Sequence, residues 1–364
     1  MMLYIGVIIL LFTLIQLLVA VANTLFLPKL VSRQPSESPL VSILIPARNE
    51  ENNIVNILND ILDQDYTNIE VAIFNDQSDD RTAEVVKQYS ERDTRITLID
   101  SDGLPNGWYG KNYACYSLAK NAHGKYLLFL DADVRIGKGL IVNSLSFMEQ
   151  HDTVLLTIFP KQIMVSAGEK LTVPNMIYIL LSLLPLILVR KSAYPAFAAA
   201  NGQFMMFDSA AYRLFEPHEK MKNDMVEDIS TARYLKNKKQ KIACMTGDDT
   251  IRCRMYAGFS DAVNGFSKNV AAFFGNSLIL AILFWVVTTF GFIVVISAFS
   301  PLVIILYFSA YLLTRVLVSS VSEQNILQNI LLLIPQQFSC GLFVLKAVIN
   351  EINKKHQWKG RYIH

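Results

Sequence analysis

The densest group of residues able to do chemistry closes the stretch YLLFLDADV, Tyr126 to Val134, where an apolar run stops at Asp131 and Asp133. A run of large aliphatic and aromatic residues bounded by Gly124 and the charges reads as a strand buried on both faces, with the acids at its carboxyl end. Ligands of open α/β sheets bind at that edge. Alternation along a strand would send Asp131 and Asp133 to the same side, with Ala132 between them. Two hard carboxylates converging on one point suit Mg²⁺ or Mn²⁺ held jointly with a substrate diphosphate. Solvated aspartates at a strand end are the plainer reading of the triplet taken alone.

Three further groups join it. Gly107, Trp108, Gly110 and Lys111 stand before a helical run. Glycines let a backbone approach a ligand closely, and a lysine at a helix start adds to the positive end of its dipole, which suits a phosphate or a flipped base. Trp108 could cover a sugar face. DMVEDIS carries the acidic pair Glu227 and Asp228, and RCRMYAGF carries Arg252 and Arg254, whose guanidiniums can clamp a diphosphate or meet lipid phosphates.

The elements that must hold these groups follow from the apolar pattern. Leu40 to Pro46 is a buried-strand run, and Ile54, Ile57, Leu58 and Ile61 share one helical face. Glu70 to Phe74 and Ile96 to Ile99 read as strands, with helices over Thr82 to Tyr89 and Asn112 to Lys120. This alternation argues for an α/β domain with a mostly parallel sheet and helices on both faces. Met205 and Met206, in AAANGQFMMF, fit an ordinary core strand or a lipid channel. Neither GxGxxG nor a Walker loop occurs.

Of the 364 residues, 52% are hydrophobic and only 18% charged, below the roughly 25% charged residues of soluble domains, so part of the chain belongs in lipid. A net charge of +2 does not argue for nucleic acid as a partner. The four cysteines, Cys115, Cys244, Cys253 and Cys340, have no metal-ligand spacing and read as reduced core residues. Residues 1–28 carry no charge and form an expected uncleaved transmembrane helix. Lys29 and Arg33 come next, which places the domain after the linker 29–39 in the cytoplasm. That domain is expected over 40–268, with 171–191 as a membrane-interface helix interrupted by Pro174 and Pro185. A C-terminal membrane region is expected over 269–350, with room for two spans broken near Ser300 and Pro301 and a third segment that either spans or lies in the interface. Arg315, late in the second span, is expected to snorkel. A basic cytoplasmic tail, 351–364, ends the chain.

VSILIPARNE, FNDQSDDRT, GWYGKNYA, FLDADV and VED occur in that order. The series resembles the family 2 inverting glycosyltransferases of the GT-A fold. LPNGWYGK and RCRMYAGFSKN look most like the membrane-bound branch that includes carotenoid-acid glucosyltransferases and hopanoid-associated glycosyltransferases. The resemblance implies that Pro46, Ala47 and Glu50 hold the nucleoside of a sugar nucleotide and that Asp76 accepts from the base, with Asn75 in place of the family's first aspartate. It implies that Asp133 is the more direct metal ligand and that Asp131 binds ribose or a metal-bound water. Asn201, Gly202 and Gln203 would line the acceptor pocket. Asp228 would take the acceptor proton in a single in-line displacement, and Glu227 would assist or orient a hydroxyl. The QxxRW motif of the polysaccharide synthases is absent, since Ile251 and Met255 occupy its Gln and Trp places.

The expected activity is therefore metal-dependent transfer of a hexose, glucose above all, from a UDP-sugar to a membrane-soluble acceptor at the plasma membrane. The branch points to UDP-glucose and to the carboxyl group of a carotenoid acid. A hopanoid, diacylglycerol or polyprenyl phosphate is the alternative acceptor, and a non-catalytic sugar-nucleotide-binding membrane subunit the alternative class.

Overall fold

The computed structural model describes residues 1–353 and the backbone of the short strands His356–Trp358 and Arg361–Ile363. From residue 354 on, the side chains of the expected basic tail lie outside the described residues. The chain divides into two compact units. One comprises Pro28–Lys161 and Leu186–Arg254; the other comprises Met1–Leu27, Gln162–Pro185 and Met255–His364.

The first unit is built on a sheet. In chain order the strands are β1 (Val41–Ala47), β2 (Ile69–Asn75), β3 (Ile96–Asp100), β4 (Tyr126–Leu130), β5 (Val134–Ile136), β6 (Leu155–Phe159), the two-residue β7 (Lys161–Gln162), β8 (Phe204–Asp208), β9 (Ile242–Thr246) and β10 (Ile251–Cys253). Seven of them form one sheet in the order β3-β2-β1-β4-β8-β6-β9. Its pairings are parallel except that β8 runs antiparallel to both β4 and β6. The continuous apolar runs are buried as such runs require: Val41, Ile43, Leu44 and Ile45 are fully enclosed, as are Leu127, Leu128 and Leu130. Helix Ile54–Leu62 buries the four residues its periodicity predicts. Gly110–Lys120, Leu140–His151 and Glu227–Asn237 are further helices of this unit.

The second unit is helical. Met2–Phe26, Leu278–Ala298 and Pro301–Val321 are long and apolar enough to cross a membrane. Their packing is fixed by polar side chains where lipid would offer no partner. Gln16 Nε2 donates to the Tyr178 hydroxyl at 3.4 Å and to Ser182 Oγ at 3.2 Å, and Asn23 Nδ2 donates to the carbonyls of Leu181 and Leu184. The segment expected as one interfacial helix over 171–191 is instead three pieces, Ala167–Thr172, Pro174–Leu183 and Ile187–Lys191. Pro174 starts the second because a missing N–H costs nothing at a first helical position, and Pro185 lies just beyond its end. The unit division takes 162–185 and 255–268 with the apolar helices, away from the sheet domain expected to run to 268. Helix Pro174–Leu183 is almost wholly buried, with Met176, Ile177, Tyr178, Ile179 and Leu181 enclosed. The last apolar segment breaks at Leu332, between helices Ile326–Leu331 and Leu333–Asn353. Pro335 is not the breaking point, since it falls in the first turn of the second helix. Arg315 does not snorkel: it is 3% exposed.

Candidate active site

β4 ends at Leu130, and Asp131 to Asp133 form a turn closed by the Val134 N–H on the Asp131 carbonyl at 3.2 Å before β5 begins. Strand alternation therefore does not set the two carboxylates, contrary to the expectation. The turn does. The Asp131 N–H donates to the Gln203 carbonyl, which ties this turn to the loop entering β8. Because β8 runs against its neighbours, its first residues lie at the edge where β4 ends.

Lys111 stands in the first turn of helix Gly110–Lys120, between two carboxylates. Its Nζ lies 2.8 Å from Asp131 Oδ1, 3.1 Å from Oδ2 and 3.5 Å from Glu227 Oε1. The loop before this helix is held against the segment preceding Glu227: Asn112 Nδ2 donates to the carbonyls of Met221 and Asp224, and the Tyr109 N–H donates to the Lys222 carbonyl at 2.7 Å. Glu227 and Asp228 open helix Glu227–Asn237. Asp228 Oδ2 accepts from the Gly202 N–H at 2.9 Å, and Oδ1 from the Ile229 N–H at 2.7 Å. A Cβ on Gly202 would sit 3.0 Å from Lys111 Nζ and 3.3 Å from Glu227 Oε1, so this glycine makes room for the cluster.

Burial alone would lower the Lys111 pKa, but the Asp131 and Glu227 carboxylates outweigh it and hold the ammonium well above the usual lysine range. Burial raises Glu227, against the attraction of Lys111 and with the repulsion of Asp228. It raises Asp228 as well, opposed by the two backbone N–H groups. Asp133 is raised by burial, then by the charges of Asp131 and Glu50. Its Oδ1 is buried without a hydrogen-bond partner.

The other expected site residues take varied places. Pro46 and Ala47 end β1, and Asp76 comes directly after β2 beside them, its N–H donating to the Ala47 carbonyl. Asp76 is 3% exposed, and Arg48 Nη1 donates to its carbonyl at 2.6 Å and lies 3.9 Å from its carboxylate. Sequence reasoning passed over Arg48, although an arginine directly after the first strand, facing an aspartate after the second, was visible in IPARNE and FNDQ. Glu50 Oε2 accepts from Asn53 Nδ2 at 2.8 Å. Trp108 lies against the rings of Tyr113 and Tyr116, at 5.6 and 4.9 Å between centroids. Asn201 builds the loop: its backbone exchanges hydrogen bonds with Thr157 Oγ1, and its Oδ1 accepts from the Gln203 N–H. Gln203 Nε2 donates to Cys253 Sγ at 2.8 Å, and Cys253 also meets the Asp133 carboxyl, a second contact the sequence did not announce. Arg252 sits opposite Arg135 in the β10–β5 pair and is exposed, as is Arg254. All four cysteines are buried free thiols. Among the described residues no three His, Cys, Asp or Glu side chains are grouped to hold a metal by themselves.

Residues 42–215 match the family model of glycosyl transferase family 2. A 4,4'-diaponeurosporenoate glycosyltransferase of Staphylococcus haemolyticus (strain JCSC1435) is 25% identical over 267 residues, 70% of this chain and 68% of that protein. The protein of that name from Staphylococcus aureus (strain USA300) is 36% identical over 126 residues, 34% of this chain and 32% of its own length. Among solved structures, a mannosyltransferase of Pyrobaculum calidifontis in complex with GDP-Man and Mn²⁺ superposes with a TM-score of 0.58 at 15% identity, covering 96% of this chain and all of the other, a likeness of fold. The chain carries, over residues 42–215, a glycosyl transferase family 2 domain built on the GT-A fold.

Proposed function

We propose that this glycosyltransferase moves a hexose, glucose in the first place, from a UDP-sugar to the carboxyl group of a carotenoid acid, with inversion, at the cytoplasmic face of the plasma membrane. The observation that carries the reading is the cluster in which Lys111 joins Asp131 to Glu227 while Gly202 and Ile229 aim the Asp228 carboxylate. The names of the staphylococcal relatives support the acceptor, and the three apolar helices support the membrane. Lys29 and Arg33, directly after the first of these helices, favour the cytoplasm for the sheet domain. Two later crossings would return the basic tail to that side.

In the reaction the bond from the anomeric carbon to the departing UDP oxygen breaks as the acceptor oxygen bonds from the opposite face. A carboxylate acceptor is already ionised at neutral pH and has no proton to give. A hydroxyl acceptor would pass its proton to Asp228. Asp76, beside Pro46 and Ala47, would accept from the base N–H, held in place by Arg48. Arg252 and Arg254 would meet the diphosphate from the exposed side, and Trp108 the sugar.

Mg²⁺ or Mn²⁺ fits this set. Asp133 presents a buried oxygen with no hydrogen-bond partner next to the charges of Asp131 and Glu50, a surplus of negative charge that a cation offsets. Asp133 and Asp131 would hold it jointly with the diphosphate of the donor. When bound, the ion supplies Lewis-acid stabilisation of the leaving diphosphate.

Purified protein in detergent, given labelled UDP-glucose, Mn²⁺ or Mg²⁺ and a carotenoid acid, is expected to yield a base-labile, coloured, labelled lipid. Asp133→Ala should yield none. A colourless labelled product from a total lipid extract would move the acceptor to a hydroxyl or phosphate lipid. Asp228→Asn separates the acceptors further. With an alcohol acceptor its rate should fall on the order of 100-fold or more. With a carboxylic acid it should keep most of its rate, apart from the cost of turning an amide NH₂ toward the Gly202 or Ile229 N–H. Equal losses on both acceptors would remove Asp228 from the role of base.

A further inference from the structure

Arg315 is the anomaly of the helical unit. It lies in helix Pro301–Val321, six residues before its end, about 9 Å along the axis. The residue is 3% exposed, and its Nε and Nη2 are buried with no hydrogen-bond partner. A guanidinium stays protonated at any physiological pH, so it cannot escape burial by losing charge. Among the described residues no carboxylate acts on it. Helices Met2–Phe26, Pro174–Leu183, Leu278–Ala298 and Pro301–Val321 contain no Asp or Glu, the Glu351 of helix Leu333–Asn353 lies eleven residues beyond Cys340, and the groups acting on the guanidinium are Tyr311, Tyr178 and Cys340. Its Cζ lies over the Tyr178 ring, 3.5 Å from the centroid, and 5.7 Å from the centroid of the Tyr311 ring. These contacts cover the face of the guanidinium. They leave its Nε/Nη2 edge.

That edge is the one this chain uses elsewhere to grip carboxylates. Arg81 holds Glu84 through Nε and Nη2, Arg95 holds Asp93 in the same way, and Arg135 holds Asp60 at 2.6 and 2.7 Å. At Arg315 no matching oxyanion is found among the described residues. Buried unpaired charge is costly, and an ionisable side chain among apolar helices marks a ligand path more often than a structural need. We infer that the Nε/Nη2 edge of Arg315, backed by Tyr178 and Tyr311, binds the single oxyanion head, carboxylate or phosphate, of an amphiphile whose apolar chain lies among the helices. The site is argued from the helical unit alone and does not depend on the transfer reading.

The test uses the full chain in a neutral detergent at pH 8, where a fatty carboxyl is ionised. The probes are cis-parinaric acid, followed by its fluorescence, and its methyl ester. Retained phosphatidylglycerol is followed by native mass spectrometry. The acid is expected to bind about tenfold or more tighter than the ester, and Arg315→Gln and Arg315→Lys should both lose the difference, since lysine keeps the charge but not the fork. Acid and ester binding alike, with wild type retaining phosphatidylglycerol that Arg315→Gln releases, would assign the head to a bilayer phosphate and uphold the site. If either variant fails to fold, the acid-to-ester ratio and its competition by added phosphatidylglycerol on the wild type still decide. Acid and ester binding alike, with no retained or competing phosphatidylglycerol specific to the wild type, would overturn the inference and leave the charge to the two tyrosine rings.

Discussion

One ammonium answering two carboxylates gives the site its stiffness. Lys111 arrives on one helix, Asp131 on a turn after β4 and Glu227 at the head of another helix, so the cluster exists only when three distant segments are in place. Lys111→Met would leave Asp131 and Glu227 facing each other without a counter-charge. It is expected to lower kcat on the order of 100-fold and to cost about 3 kcal/mol of stability, seen as a melting temperature several degrees lower, with Lys111→Arg recovering part of the stability. A second residue-scale test lies in His218. Burial, then the Lys111 charge, pushes its pKa down to about 3, and its Nδ1 shares a 2.7 Å hydrogen bond with the Tyr212 hydroxyl. The unfolded chain takes that proton near pH 6.5 and the folded one only near 3, so the unfolded state binds more protons between those values. Stability is therefore fully present above about 6.5 and is lost as pH falls through that window. In the pair of changes His218→Phe and Tyr212→Phe, made together so that no hydroxyl is left unpaired, the melting temperature should depend less on pH between about 4.5 and 7 than in the wild type. An unchanged slope would remove His218 from the acid response.

At the scale of elements, the apolar runs were enough to place β1, β2, β4 and the helix Ile54–Leu62, because full enclosure demands apolar side chains on every face. Direction was not legible. FMMF reads as a core strand whichever way it runs, and only the connection through 186–203 makes β8 antiparallel and brings Gly202 to Asp228. The same limit explains Asp131 and Asp133, whose shared site was readable from residue type while the turn that forms it was not. Lys111 was legible as a charge at a helix start, but its partners are separated from it by 20 and 116 positions, beyond any local pattern. In the helical unit, Gly341 shows close approach as a packing device. A Cβ there would overlap the Trp285 ring, whose Nε1 donates to the Gln337 carbonyl at 3.0 Å. Gly341→Val is expected to overpack the contact between Leu278–Ala298 and Leu333–Asn353 by about 1–3 kcal/mol, lowering the melting temperature in detergent, with Gly341→Ala intermediate. No change with valine would mean that these helices part freely.

For the whole molecule, the first helix is more than an anchor. Gln16 and Asn23 donate into the segment Tyr178 to Leu184, and Ile9 packs with Val295 and Tyr307. Removal of residues 1–27 is therefore expected to give aggregated protein, measured by size exclusion in detergent, where a simple tether would leave a monodisperse enzyme. The order of the segments along the chain carries a consequence in time. Met2–Phe26 is synthesised ahead of its partners: two of the helices that enclose it, Leu278–Ala298 and Pro301–Val321, are made roughly 250 residues later, which at about 5–20 residues per second is on the order of 12–50 s. Gln16 and Asn23 must pass part of that interval before Tyr178 and Leu184 exist to satisfy them. Translation speed and whatever shields polar side chains at the insertion site thus become determinants of yield, and slowing synthesis between residues 30 and 160 should lengthen the exposure without altering the finished protein.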